Sequence, residues 1–287
     1  MSESTDLNGL NPAVAGPLNP FEALLDTVDG DSNQIQRTYQ SHRIQRNLKQ
    51  KVALLSSEFK GLNVDTILKQ LLEDPNYVDP RNSFTLWARP TSSVKALVDQ
   101  IQVKLKALAP HLWFMPLEHL HTTVLEIIHS VPLERVEAVV SLLGKSGAKA
   151  AVRLASKPAR LIRPMLSIDD SAVALTFLPD ISDYTYHHLR RDAWERMKAA
   201  GVLVESRYIA PSAHITIARF IVQDDHRTGA LMESWVRGLE DINEWLRRDY
   251  EDIEWIVGAE QGLILRKGRV WYGGGGETVI QGEPVAF

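Results

Sequence analysis

The chain of 287 residues is 44% hydrophobic and 24% charged, which is typical of a globular protein. It contains no cysteine, which excludes disulfide bonds and Cys-ligated zinc. Its net charge of −4 argues against non-specific binding of long double-stranded nucleic acid, because that binding depends on many contacts from Lys and Arg to phosphates.

The N-terminal segment differs in composition from the rest of the chain. Residues 1–36 contain no Lys or Arg and are rich in Ser, Asn, Gly, Pro and Asp, so we predict a disordered acidic tail with a short helix around residues 21–25. The start lacks the pattern of a signal peptide, and no apolar run reaches membrane-spanning length. We therefore expect a cytoplasmic monomer with no membrane contact.

Residues 37–82 are predicted to form a helical N-terminal extension. Apolar residues at helical spacing indicate a first helix that reaches Phe59, and a second, short helix is predicted over residues 64–72. The first helix carries the basic residues Arg37, Arg43, Arg46, Lys49 and Lys51. We interpret them as a solvated helix face in preference to an RNA-binding arm.

From residue 83 the pattern becomes strand, helix, strand, helix. Residues 84–88 are predicted to be a strand, and Thr91 or Ser92 is a suitable N-cap for a helix with apolar residues three or four apart through Leu108. A strand over residues 120–125 and a helix over residues 132–143 follow.

A similar order of elements then recurs. We predict strands over residues 151–154 and 172–177, a helix that includes residues 186–197, a strand over residues 213–218 and a helix over residues 231–246. A hairpin is predicted from the strand at residues 262–265, a turn at Lys267 and Gly268, and a returning strand at residues 269–272. A last strand is expected near residues 278–280, before a C-terminal tail over residues 282–287.

The recurrence indicates an internal duplication of a strand–helix unit. We predict an α+β fold over residues 83–281, with two lobes related by a pseudo-two-fold axis. Each lobe is expected to contain a mainly antiparallel sheet with helices packed outside, and a central cleft is expected between the lobes.

Two of the predicted strands carry the same short motif, His-x-Thr followed by an apolar residue. Residues i and i+2 of a strand project from one face, so His121 lies beside Thr123, and His214 beside Thr216. A third copy at His226 lies in a polar stretch and is attributed to chance. Two such strands facing one cleft supply an acid, a base and two hydroxyl donors, which suits phosphoester chemistry.

These motifs resemble the signature of the two-histidine (2H) phosphoesterase superfamily, one His-x-Thr or His-x-Ser motif per lobe. The resemblance covers residues 83–280, and the second motif, with its trailing Arg219, is the closer match. It implies a bilobal phosphodiesterase with no metal or cofactor. The implied substrates are 2′,3′-cyclic phosphates of nucleotides or RNA ends; RNA 3′-end trimming and hydrolysis of 2′,5′-linked oligonucleotides are alternatives within the superfamily.

Several further residues are candidates for substrate binding. Strict strand alternation points Arg219 away from the cleft, although a bulge would bring it to the phosphate. Glu126 occupies the equivalent position in the first motif, five residues after the histidine, and is a poor partner for phosphate. The aromatic residues Tyr208, Trp271, Tyr272 and Trp87 are candidates for stacking on a nucleobase. The glycine run at residues 273–276 is interpreted as a flexible turn.

Three other functions compete with this interpretation. His119, His121, His111 and His129 lie near one another in sequence, which leaves a metal-dependent hydrolase open, although no recognisable zinc constellation is present. A non-catalytic module that binds nucleotides or RNA would keep the same pocket without turnover. An interaction protein would use the acidic tail and the basic helix, with the fold as a scaffold.

Overall fold

The computed structural model describes residues 18–206 and 209–285. The α-helices in this part of the chain are α1 (Glu22–Thr27), α2 (Ser32–Leu54), α3 (Thr66–Glu73), α4 (Ser92–Leu108), α5 (Leu133–Ala151), α6 (Tyr186–Ala199) and α7 (Gly229–Asp249). The strands are β1 (Asn82–Ala88), β2 (Trp113–Phe114), β3 (Thr122–Val131), β4 (Arg160–Ile168), β5 (Ala172–Pro179), β6 (Ala213–Arg219), β7 (Glu254–Ile256), β8 (Leu263–Gly268) and β9 (Glu277–Gln281). None of the helices in the described ranges is long and apolar enough to cross a membrane.

The strands form two antiparallel sheets with matching connections. The strand order is β3-β1-β8-β9 in the first sheet and β2-β6-β5-β4-β7 in the second. Strand β3 directly follows His121, and strand β6 contains His214. Each of them pairs with the strand on the other side of the preceding long helix, so β1-α4-β3 corresponds to β5-α6-β6. The α+β fold with two antiparallel sheets and a lobe around each is confirmed.

The helices with the clearest apolar periodicity form where the sequence predicts them. Five apolar residues spaced three or four apart along α4 are buried, and Thr228 caps α7 by accepting a hydrogen bond from the backbone N–H of Leu231. Helices α4 and α7 lie against strands of the second sheet, and α5 and α6 lie against strands of the first.

The predicted disordered tail is wrong for the part of it that the structure describes. Residues 1–17 lie outside the described residues, but α1 and the start of α2 occupy most of the range from residue 22 onward. Phe21 and Ile35 are fully buried, and Asp31 caps α2 through its side chain. The apolar residues of this stretch join the common core, which outweighs its polar composition.

Two of the five basic residues of α2, Arg43 and Arg46, do not belong to the predicted solvated face, whereas Arg37 and Lys49 are exposed as predicted. Arg43 is buried and donates a hydrogen bond to the carbonyl of Arg163, and Arg46 forms an ion pair of 2.7 Å with the fully buried Asp169. Helix α2 lies against the second sheet, where these two side chains satisfy polar groups of β4 and of the β4–β5 turn.

Two predicted strands are wrong, and three strands, β2, β4 and β7, are not predicted. Helix α5 continues through a kink at Gly144 to Ala151, so residues 151–154 form no strand. The residues after Gly268 form a loop, and β8 pairs instead with β9. The sequence does not predict β4, because Arg163, at a φ of 52°, and Pro164 interrupt the alternation of side chains along the strand.

Candidate functional site

The two motifs meet at one cavity between the sheets. The cavity has a volume of about 100 Å³. By this measure one water needs about 10–15 Å³, so the cavity has room for several groups the size of phosphate oxygens. The lining side chains belong to Ser83, Thr85, Trp87, His121, Thr123, Glu126, His129, His214, Thr216, Arg219, Val270 and Trp271. All four motif residues predicted from the sequence therefore line the same cavity.

Matching β-bulges bring one further charged residue from each motif into this cavity. In β6 the register shifts at Ile217, and in β3 it shifts at Val124. Each bulge adds one residue after the motif threonine, so the residue five positions after the histidine returns to the histidine's face. Arg219 and Glu126 consequently line the cavity. The alternation that pointed Arg219 away does not hold here.

His121 is fixed in orientation by its neighbours. Its Nδ1–H donates to the backbone carbonyl of His119 at 2.9 Å, and its ring stacks on Trp87 with centroids 3.8 Å apart. Because a carbonyl only accepts hydrogen bonds, Nδ1 carries the proton of the neutral ring. The lone pair is therefore on Nε2, which is left to act as a base or, when protonated, as an acid.

The glycine run at residues 273–276 packs against His119, the residue whose carbonyl orients His121. The run is therefore not the flexible turn that the sequence predicts. A Cβ atom on Gly273 would lie 2.2 Å from the carbonyl oxygen of His119, and one on Gly274 would lie 2.5 Å from its imidazole. Only glycine permits this approach, and Gly273 also has a positive φ of 75°. The loop between β8 and β9 therefore packs tightly behind the site.

His214 lies beside the N-terminal extension. Its Nδ1 is 3.1 Å from Ser212 Oγ, and it lines a second, very small cavity together with His42 and Arg46 from α2. Residues 37–82 thus contribute directly to the surroundings of a motif histidine, which no local sequence pattern revealed.

Both motif histidines are neutral at pH 7 in this environment. Burial lowers the pKa of His121 to about 3, and nearby Arg89, Arg266 and Arg219 act in the same direction. Burial likewise lowers the pKa of His214 to about 3, with Arg46 and Arg190 adding to the effect. An anion in the cavity would oppose these contributions and favour the protonated rings.

Several buried donors around the cavity have no partner within the described ranges. They are Thr85 Oγ1, Trp87 Nε1, Arg219 Nε and Trp271 Nε1. Buried polar groups in proteins are nearly always hydrogen-bonded, so unpaired donors of residues that line or adjoin one cavity suit a ligand rich in acceptors. A phosphate group has that chemistry.

Of the predicted aromatic residues, Trp271 lines the cavity and Tyr272 does not. The hydroxyl of Tyr272 donates to Asp65 at 2.7 Å and accepts from Arg81 at 3.0 Å, while Asp65 also lies 3.5 Å from Arg219. Tyr272 therefore helps to position the side chain of Arg219 through Asp65. The ring of Trp87 stacks on that of His121, so this face of the indole is not open to a nucleobase. Tyr208 lies outside the described residues.

A buried arginine joins the two motif segments. Arg190 of α6 donates to the carbonyl of Val124, at the bulge in β3, and to the carbonyl of Ala210, just before β6. Its guanidinium carbon lies 4.3 Å from the centre of the Phe21 ring. One fully buried side chain thus ties both motifs to each other and to the N-terminal extension.

Of the other histidines considered as metal ligands, His129 lines the cavity and His111 does not. His111 contacts Asp225 at 2.7 Å, and His129 contacts Glu126 at 2.8 Å. No group of three or more His, Asp or Glu residues suited to hold a metal occurs in the described part of the chain.

Comparisons with known proteins do not identify the chain. No family model matches it, and no curated protein matches it. It is similar to a conserved protein of unknown function from Agrobacterium tumefaciens, at 13% sequence identity and a TM-score of 0.42 over 66% of this chain and 81% of that chain. A similarity at this level carries no argument about function.

Proposed function

We propose that the protein is a phosphodiesterase that hydrolyses 2′,3′-cyclic phosphates of nucleotides or RNA ends by paired-histidine acid–base catalysis, as a 2H phosphoesterase would. The observation that carries the proposal is the convergence of His121, Thr123, His214 and Thr216 on one phosphate-sized cavity. The unpaired donors around this cavity give it further support.

Hydrolysis of a cyclic phosphate requires one proton to leave the attacking water and another to reach the departing ribose oxygen. One motif histidine takes the first proton and the other supplies the second, and each positioned group contributes roughly 10²–10⁴-fold to the rate. Thr123, Thr216 and Arg219 donate to the non-bridging oxygens, where negative charge accumulates in the transition state.

Because the pKa values of His121 and His214 are lowered, the bound substrate must help to protonate one of them. Since both imidazoles are neutral in the free cavity, the histidine that acts as the acid must first gain a proton. The negative charge of the bound phosphate stabilises that imidazolium and raises its pKa. Substrate binding and proton uptake are therefore coupled, which leaves the other histidine neutral as the base.

The test is incubation of the purified protein with nucleoside 2′,3′-cyclic phosphates, RNA oligomers ending in a cyclic phosphate, and 2′,5′-linked oligonucleotides, followed by resolution of the products. We expect ring opening to a monophosphate, and we expect it to persist in excess chelator. Loss of activity on chelation would contradict the metal-free scheme, and binding of every substrate without turnover would favour a binding module.

A further inference from the structure

Glu126 places a negative charge in a cavity that otherwise suits an anion. Its side chain is 12% exposed, and its Oε1 lies 2.8 Å from the Nδ1 of His129. The His129 ring in turn packs against Trp271, with centroids 4.8 Å apart. These contacts hold the carboxylate in a cavity of about 100 Å³, so a phosphate bound there lies close to both Glu126 and Arg219.

The positive charges around the cavity favour the most highly charged ligand. Arg219 lines the cavity, and the guanidinium carbons of Arg89 and Arg266 lie 5.1 and 5.5 Å from the ring of Trp87, on which His121 stacks. Under the proposed function the substrate is a phosphodiester with one negative charge. The product is a phosphomonoester, which carries two charges above its second pKa of about 6. Arginines alone would therefore retain the product more tightly than the substrate.

We propose that Glu126 is a specificity residue that lowers the affinity of the cavity for dianionic phosphomonoesters relative to monoanionic phosphodiesters, and so favours product release. This inference rests on the proposed function. The carboxylate repels each added charge on the ligand, and one extra unit charge about 6 Å away, in a partly solvated site, changes affinity by roughly tenfold. The same position in the other motif carries Arg219, so the two motifs meet the phosphate with opposite charges.

The experiment compares two ligands that differ in one charge. 2′-Deoxyadenosine 3′-monophosphate and its 3′-methyl diester share a nucleoside and lack the 2′-hydroxyl that would allow cyclisation. Calorimetry at pH 8 gives the dissociation constant of each ligand for the wild type and for Glu126→Gln, which keeps the shape of the side chain and removes its charge. Glu126→Asp keeps the charge, and Glu254→Gln removes a carboxylate that pairs with Arg160 outside the cavity. Circular dichroism verifies that each variant is folded.

We expect Glu126→Gln to strengthen monoester binding about tenfold more than diester binding. Glu126→Asp and Glu254→Gln should keep the wild-type ratio of the two constants. An unchanged ratio in Glu126→Gln, or an equal shift for both ligands, would overturn the inference while leaving the proposed function intact. Failure of both ligands to bind any of the proteins would overturn the proposed function and this inference with it.

Discussion

The backbone carbonyl of His119 accepts the Nδ1–H of His121 at 2.9 Å, and Gly273 packs directly against that carbonyl. The hydrogen bond selects the tautomer of His121 and fixes the direction of its ring. The orientation of a motif histidine is thus set by a glycine loop at the other end of the chain.

Replacing Gly273 by Ala should displace the carbonyl of His119 and with it the ring of His121. A shift of about 1 Å in a catalytic group costs about 10²-fold in rate, so we expect kcat on a cyclic phosphate to fall by about that factor. Gly201→Ala is the matched control, because Gly201 has a φ of 76° but nothing within 4 Å of its Cβ position. Equal effects of the two substitutions on kcat would contradict the positioning role.

Removing either imidazole should abolish most of the activity. We expect His121→Ala and His214→Ala each to lower kcat/KM on 2′,3′-cyclic nucleotides by at least about 10²-fold, since each removes an acid or a base. His111→Ala is the control, because His111 is exposed and pairs with Asp225 outside the cavity. Retention of activity in either motif variant would refute the paired-histidine scheme.

The elements that could be predicted from the sequence are those whose signal is local. The apolar spacing of α4 and α7 and the β-branched residues of β5 and β6 identified these elements directly. The pairing of β8 with β9 could not be predicted, because Gly268 indicates a turn but not how far away the returning strand lies. The packing of the N-terminal helices depends on Phe21 and Ile35 finding a core that is built elsewhere in the chain.

The candidate site likewise contains residues whose position could be predicted from the sequence and residues whose position could not. Strand alternation placed His121 beside Thr123 and His214 beside Thr216, and this holds up to each motif threonine. It fails at Arg219 and Glu126, because the bulges depend on pairing with neighbouring strands. The parts played by Arg190 and Arg46 come from tertiary packing, which no local pattern encodes.

Replacing Arg190 by Met should strongly destabilise the fold. The change leaves the carbonyls of Val124 and Ala210 without this donor in a buried setting, and we expect the free energy of unfolding to fall by about 2–5 kcal/mol. Urea denaturation measures the loss. Arg191→Met is the control, since Arg191 is partly exposed and pairs with Asp192 at the surface. Similar losses for both variants would exclude a special role for Arg190.

Acid should weaken the attachment of the N-terminal helices through His187. This buried side chain accepts from the hydroxyl of Tyr39 and donates to the carbonyl of Phe21, and burial lowers its pKa to about 4. The unfolded chain, with a histidine pKa of about 6.5, binds more protons than the folded chain between these values, so stability falls as the pH drops through that window.

We expect His187 to account for about 2 kcal/mol of the stability lost between pH 7 and pH 5. His187→Gln should reduce that loss by the same amount, as measured by urea denaturation at both pH values. His111→Gln should not reduce it, because Asp225 raises the pKa of His111 and the contribution of that residue has the opposite sign. An unchanged pH dependence in His187→Gln would show that the ring is not neutral in the folded protein.

Binding of a phosphodiester should draw protons from solution. Both motif histidines have a pKa of about 3 in the free cavity, and a phosphate beside them raises it, so at pH 6 the complex should hold up to roughly half a proton beyond the free protein. A non-cyclisable deoxynucleoside 3′-methyl diester does not itself titrate near this pH, so any proton taken up belongs to the protein. Calorimetry in buffers of different ionisation enthalpy measures the uptake as the slope of the observed binding enthalpy. The slope should decrease in His121→Ala or His214→Ala, whichever removes the imidazole that gains the proton. A zero slope in the wild type would mean that the bound phosphodiester leaves both imidazoles neutral, which would contradict the coupling of binding to proton uptake.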